Sequence, residues 1–259
     1  MLALAVVCAA MLGSAQASGG DGSRVVVPRG KPVEIAFTAV KVQEIPGVDV
    51  VAISASIENA IRLAVELRPR ISGFPIQINV YDTSCVNDNS ASAAAIVANA
   101  QNTAVLGDLC SQGAQSALPV YEQAGLPALS GTATADTLPA LGPTVFARTA
   151  VADGDDGTAW YETVKTLPSD QLWRHFYQHR FGVAPTDFAD LYFDATNLLL
   201  TRLQQASRFV HGNLVVDRVE LARAIRGTKF FPGVTCFITL DPSTGNRLNS
   251  PAVLRLCGA

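Results

Sequence analysis

The chain has 259 residues, enough for one large domain or two modest ones, and its 49% hydrophobic content supports a packed core rather than a disordered tail. The 19 Lys+Arg against 22 Asp+Glu give a formal net charge of -3. No basic cluster interrupts the sequence, which removes the electrostatic footprint of a nucleic-acid partner.

Residues 1–17 read as an export signal. The apolar run LALAVVCAAMLG is too short to span a bilayer, and Ala15-Gln16-Ala17 follows as a small-x-small cleavage site. Cys8 reads as an ordinary apolar residue of this leader rather than a lipid anchor. A Gly/Ser-rich spacer, SGGDGS, opens the stretch 18–32. The leader's removal leaves Cys85, Cys110, Cys236 and Cys257, an even count suited to an oxidising compartment. Four cysteines allow three pairings. Pairing neighbours closes short loops, and each bridge then contributes roughly 3 kcal/mol by constraining the unfolded chain. A metal site is the weaker reading, because the spacing is not C-x-x-C and no His lies close by.

Val33 to Val40 reads as a strand, and Ser56 as the cap of a helix carrying Ile57, Ala60, Ile61, Ala64 and Val65, ending near Pro69 and Gly73. Ile76 to Tyr81 alternates as a strand, and SASAAAIVANAQ is a helix. Strand Thr103–Leu106, a helix after Ser111, strand Leu126–Leu129 and strand Thr144–Val151 follow. Strands alternating with helices at this pace predict an α/β fold, a Rossmann-like parallel sheet with helices on both faces. Ligands bind such sheets at the carboxyl ends of the strands, where Asp82, Cys110-Ser111 and Ser130–Thr134 fall.

ADGDDG then reads as a connector. Ser169 caps a helix that stops at Gly182, a long helix covers Asp187 to Phe209, and Asp217 with Glu220 opens a helix that stops at Gly227. VTCFITL, the turn DPSTGNR and AVLRL read as a C-terminal β-hairpin.

Several stretches resemble the branched-chain amino-acid binding proteins of bacterial ABC importers. They are VPRGKPVEIAF, VYDTSC, VLGDLCSQGAQSALPVYEQAGLPALSGTATADTL, GPTVFARTAVAD, FYQHRFG, YFDATNLLL and FPGVTCFITLDPSTGNR. The resemblance implies the type I periplasmic binding fold, periplasmic export, an amino-acid-like ligand and an ABC permease as membrane partner, with no cofactor and no catalysis. It also implies the Cys85–Cys110 bridge, and a grip on the ligand's carboxylate and ammonium by Ser111, Thr132 through its main-chain carbonyl, and Thr134. These residue types suit such a grip, since hydroxyls and N–H groups donate to a carboxylate and a carbonyl accepts from an ammonium.

Two departures accompany the resemblance. Gly131 and Asp136 stand where the family usually has prolines, and FTAVKVQEIPG lacks its glycine-rich loop. Only 22 residues separate GPTVFARTAVAD from FYQHRFG, too few for the second α/β lobe that the family places there. Residues 33–153 are therefore expected to begin the ligand-binding lobe, 154–168 to be a short remnant in place of the second lobe, and 169–259 to complete the first. The alternative function is a truncated lobe without transport activity, an interaction or sensory module whose exposed cleft face pairs with a second copy.

Other constellations are weaker. His175 and His179 lie four apart on a helix but lack the glutamate and third ligand of a zinc site. Asp153, Asp155 and Asp156 lack calcium-loop spacing. Neither a nucleophile elbow, a P-loop nor a G-x-G-x-x-G turn is present, and His211 has no partner that would make it a base.

Overall fold

A computed structural model describes residues 23–42, 45–85, 90–99 and 101–258. The export signal and most of the spacer lie outside the described residues. The first strand, β1 (Arg24–Val27), precedes β2 (Val33–Val40), which is buried along nearly its whole length. Such a continuous apolar run is what a strand covered on both faces requires. Helix α1 (Val50–Leu67) leads to β3 (Arg70–Ile71), β4 (Phe74–Thr83), α2 (Ser90–Ala98), β5 (Asn102–Leu106) and α3 (Ser111–Gln123). Then come β6 (Ala128–Ser130), a short α4 (Leu138–Leu141), and β7 (Phe146–Arg148).

These strands form one six-stranded sheet in the order β3-β4-β2-β5-β6-β7. Every pairing is parallel except that of the two-residue β3 with β4. The two-residue period sorts side chains between the faces. Val33, Ile35, Phe37, Ala104, Leu106, Leu129 and Ala147 pack with Ile57 and Ile61 of α1. Ala36, Val105, Ala128 and Phe146 pack instead with Ile96 of α2 and Ala117, Leu118 and Tyr121 of α3.

After β7, a 3-10 turn (Asp153–Asp155) and α5 (Gly157–Val164) occupy the expected connector, followed by α6 (Pro168–Phe181) and α7 (Ala189–Ala206). Strands β8 (Ser207–Val210) and β9 (Asn213–Asp217) join β1 in a separate antiparallel sheet. Helix α8 (Arg218–Arg226), the hairpin β10 (Phe231–Gly233) with β11 (Cys236–Ile238), and α9 (Pro251–Leu256) complete the chain. Leu198, Leu199 and Leu203 of α7 join α1 on the first face of the large sheet. The described residues build one parallel sheet, with helices on both faces as the alternation predicts. No helix among them is long and apolar enough to cross a membrane.

Several boundaries differ from the expectation, and Ser169 does not cap α6: Leu167 holds the N-cap position, while Ser169 Oγ donates to Val234 O at 2.7 Å. Ser56 does not cap α1: Asp49 does, accepting from the Ala52 N–H at 2.9 Å, while the buried Ser56 Oγ accepts from Thr186 N–H at 3.0 Å. The long helix ends at Ala206 rather than Phe209, because His211 (φ 48) and Gly212 (φ 85) form a two-residue turn that folds β8 onto β9. AVLRL is not the arm of a hairpin. It is α9, with Ser250 accepting from Val253 N–H and Pro251 at the first turn, where a missing N–H costs nothing. The C-terminal hairpin is β10–β11, one element earlier, and the turn after it closes with a single bridge, Leu240 to Arg247.

Candidate functional site

The parallel strands deliver their carboxyl ends to one edge of the sheet. There Cys85, just past β4, is bonded to Cys110, which precedes α3. A second bridge joins Cys236 of β11 to Cys257 after α9. Gly107 follows β5 with φ +144, and a Cβ at this position would lie 1.8 Å from Thr38 Oγ1 of β2. The chain can leave β5 so close to β2 only without a side chain.

Cys110 holds the N-cap position of α3 and Ser111 the first helical position, so Ser111 is not the helix cap. Its Oγ turns to the loop after β6 and accepts the N–H groups of Thr134 and Ala135, each at 3.1 Å. Ser130 Oγ donates to Asp108 O at 2.8 Å and accepts the N–H groups of Thr132 (3.2 Å) and Ala133 (3.0 Å). Thr132 Oγ1 donates to Leu109 O at 2.6 Å, and Thr134 O accepts from Asp153 N–H at 3.0 Å. Gly131 sits against Tyr192 of α7, where a Cβ would meet the ring at 2.6 Å. That approach explains a glycine at this departure from the family pattern. Asp136, the other departure, accepts the Gly154 N–H at 3.2 Å.

Two groups of the segment 132–135 are left over among the described residues: the Thr132 carbonyl and the Thr134 hydroxyl. Thr132 and Thr134 line a cavity of about 170 Å³. Its other wall comes from Trp160 and Tyr161 of α5 and Phe188 before α7, and its rim from Asp153, Glu162 and Asp187. Ser111 is tied to the same segment but does not line the cavity. The structure thus brings Thr132 and Thr134 together and sets Ser111 as their support.

The aromatic wall was not legible in the sequence. Tyr161 stacks on Phe188 with ring centroids 4.8 Å apart, and its Oη accepts the Phe188 N–H at 2.5 Å while donating to Asp190 Oδ1 at 3.0 Å. Arg174 joins Asp190 (2.8 Å) to Asp170 (2.6 Å), both carboxylates being fully buried. Burial and the neighbouring Asp190 push the Asp170 carboxyl up to about 8, and burial together with Asp190 also raises the Tyr161 phenol. One signal was available: Asp170 and Arg174 stand four apart on a helix, a spacing that pairs side chains. At the rim, Lys165 reaches Glu162 at 2.7 Å and Asp187 at 3.5 Å, leaving Asp153 outside that set of ion pairs.

A larger cavity of about 390 Å³ lies at the opposite edge of the sheet, beside Arg223 and Arg226 of α8. Its cations are already engaged, Arg226 by the carbonyls of Pro242 and Ser243 and Arg223 by Glu220. His175 and His179 are exposed on α6. Among the described residues no group of three or more His, Cys, Asp or Glu side chains could hold a metal ion.

No protein-family model matches the chain. It is 36% identical over 87 residues to the Leu/Ile/Val-binding protein of Escherichia coli K12, a stretch covering 34% of this chain and 24% of that protein. The matched stretch is therefore about a quarter of the relative's length. Among solved structures, the chain is similar to a leucine-binding protein from Thermotoga maritima MSB8, with TM-score 0.65, 15% identity, and coverage of 84% and 93% of the two chains. It is also similar to the branched-chain amino acid substrate-binding protein of Streptococcus pneumoniae in complex with isoleucine, with TM-score 0.63, 15% identity, and coverage of 84% and 94%. A solute-binding protein of an ABC transporter from Rhodopseudomonas palustris BisB5, in complex with 3,4-dihydroxybenzoic acid, matches with TM-score 0.68, 13% identity, and coverage of 84% and 91%.

Proposed function

Starting from the type I periplasmic binding fold that these structures share with the chain, we propose that it is an exported solute-binding protein of an ABC importer. Its ligand is an amino acid or similar small zwitterion, its partner an ABC permease, and it performs no catalysis. The Thr132 carbonyl accepts from the ligand's ammonium, and the Thr134 hydroxyl donates to its carboxylate. Ser111 contributes by holding the Thr134 and Ala135 N–H groups. The aromatic wall of Trp160, Tyr161 and Phe188 covers the ligand's apolar part.

The observation that carries this reading is the pair of unused polar groups, the Thr132 carbonyl and the Thr134 hydroxyl, on residues that line one cavity. At about 170 Å³ the cavity is smaller than the roughly 300–1,000 Å³ of drug-sized sites, which suits a small ligand. In this reading residues 154–168 stand in place of a second lobe, and α5 with the start of α7 provides the cover. Isothermal titration calorimetry of the purified protein with leucine, isoleucine, valine and polar amino acids tests it. Binding of at least one, weakened by Thr134→Ala, is expected. The absence of heat with every amino acid would sink the proposal.

A further inference from the structure

Arg148 ends β7 directly beside the segment that carries Thr132 and Thr134, yet its side chain is fully buried. One terminal guanidinium nitrogen donates to Ala133 O at 3.1 Å and to Ala135 O at 3.0 Å, the two carbonyls that flank Thr134. Nε donates to Asn246 Oδ1 at 3.0 Å, and the main-chain N–H donates to Gly245 O at 3.0 Å. The second terminal nitrogen has no partner, and no carboxylate among the described residues lies within ion-pair distance of the guanidinium. Asp136, Asp153 and Asp155 act on it only at longer range.

Burying a guanidinium without a counter-ion is costly, and it persists only where the surroundings fix it. Here it is fixed by carbonyls, whose dipoles point their negative ends at Arg148. With the carbonyls of 133 and 135 drawn to Arg148 and the neighbouring N–H groups taken by Ser111 and Ser130, the segment keeps one conformation. The guanidinium lies beneath Thr134 and over the Phe146 ring, with its nearest acids, Asp136, Asp153 and Asp155, beyond ion-pair distance.

We propose that Arg148 is a positioning residue of the site, fixing how Thr132 and Thr134 face the cavity and biasing that floor toward a ligand bearing a carboxylate. The inference rests on the amino-acid site proposed above. It separates Arg148 from a purely structural brace, because a brace would support all ligands alike, whereas a guanidinium with no carboxylate in direct contact discriminates between them.

Calorimetry with leucine and with isopentylamine, which is leucine without its carboxylate, reads that difference on the whole protein. The wild type is expected to prefer leucine. Arg148→Met should weaken both ligands by loosening the segment, and leucine the more, shrinking the preference roughly tenfold, the size of one charge-assisted hydrogen bond. Arg148→Lys, which keeps the charge, should retain most of it. Asn246→Asp supplies the missing counter-ion without removing the arginine and should shrink the preference in the same direction, so it decides the matter if Arg148→Met fails to fold. An unchanged leucine-to-amine ratio in folded Asn246→Asp or Arg148→Met overturns the role of Arg148 alone. A wild type that binds neither ligand overturns the site as well.

Discussion

The floor of the cavity is held by neutral hydroxyls and one guanidinium, whereas its cover is held by two buried carboxylates that share one arginine. In the floor, Ser111 and Ser130 each accept two backbone N–H groups. In the cover, Asp170, Arg174 and Asp190 fasten α6 to α7 and hold the Tyr161 hydroxyl of α5. Hydroxyls do not titrate in the physiological range, while Asp170, pushed up by burial and the neighbouring Asp190, does. The same small cavity therefore has one wall indifferent to pH and one that responds to it.

Removing the shared cation breaks the comparison most severely. Arg174→Met leaves the buried Asp190 carboxylate without a counter-ion and buried Asp170 without its donor, and should destabilise the protein by about 3–5 kcal/mol in urea unfolding. A loss below about 1 kcal/mol would mean that the network is not what holds the cover.

A smaller effect comes from pH. An isolated aspartate titrates near 3.9, so between about 4 and about 8 the folded chain holds a proton on Asp170 that the unfolded chain has released. Stability from this group is greatest at the acid end, falls as pH rises through that window, and levels off above it. Asp194, fully buried and pushed up to about 6 mainly by burial, acts in the same direction over a narrower window. Urea midpoints should thus fall from pH 5 to pH 8, and Asp170→Asn should flatten much of the slope. A midpoint that rises over this range contradicts the assignment.

The smallest change sharpens the contrast from the floor side. Ser111→Ala removes the acceptor of two N–H groups and should cost about 1–3 kcal/mol. Unlike the cover effects, this loss should be the same at pH 5 and pH 8. If it varies with pH, the floor is coupled to the carboxylates after all.

The large sheet was legible because its strands obey simple rules. Val33–Val40 is one uninterrupted apolar run, and the faces of β2, β5, β6 and β7 follow the two-residue period. Local signals failed where two elements competed for one stretch. VDVVAIS has no periodicity that distinguishes loop from helix, and only the Asp49 cap decides it. RFVHGNLVV hides a hairpin because His211-Gly212 is not the usual Asn-Gly or Asp-Gly pair. Ser250-Pro251 carries a serine cap and a first-turn proline, the marks of a helix start that AVLRL, read alone, does not show.

Thr132 and Thr134 came from resemblance, and their surroundings could not have been read from the sequence. Arg148 lies fourteen residues beyond Thr134 and Asn246 nearly a hundred beyond Arg148, so their juxtaposition is purely tertiary. The Asp170–Arg174 pair was visible as a spacing, but its burial and its second acid, Asp190, depend on the packing of α7.

Arg247 adds a consequence of a different kind. Its buried guanidinium donates to Thr149 O just past β7 and to Thr235 before β11, and it lies 4.5 Å from the centre of the Trp160 ring in the cavity wall. Residues from the end of the chain thus back a wall whose floor is encoded far earlier. During synthesis, which proceeds at roughly 5–20 residues per second, the floor strands emerge well before Arg247. The floor strands can pair as soon as they are free to fold, but the cavity acquires its finished shape only once the segment carrying Arg247 has packed behind Trp160.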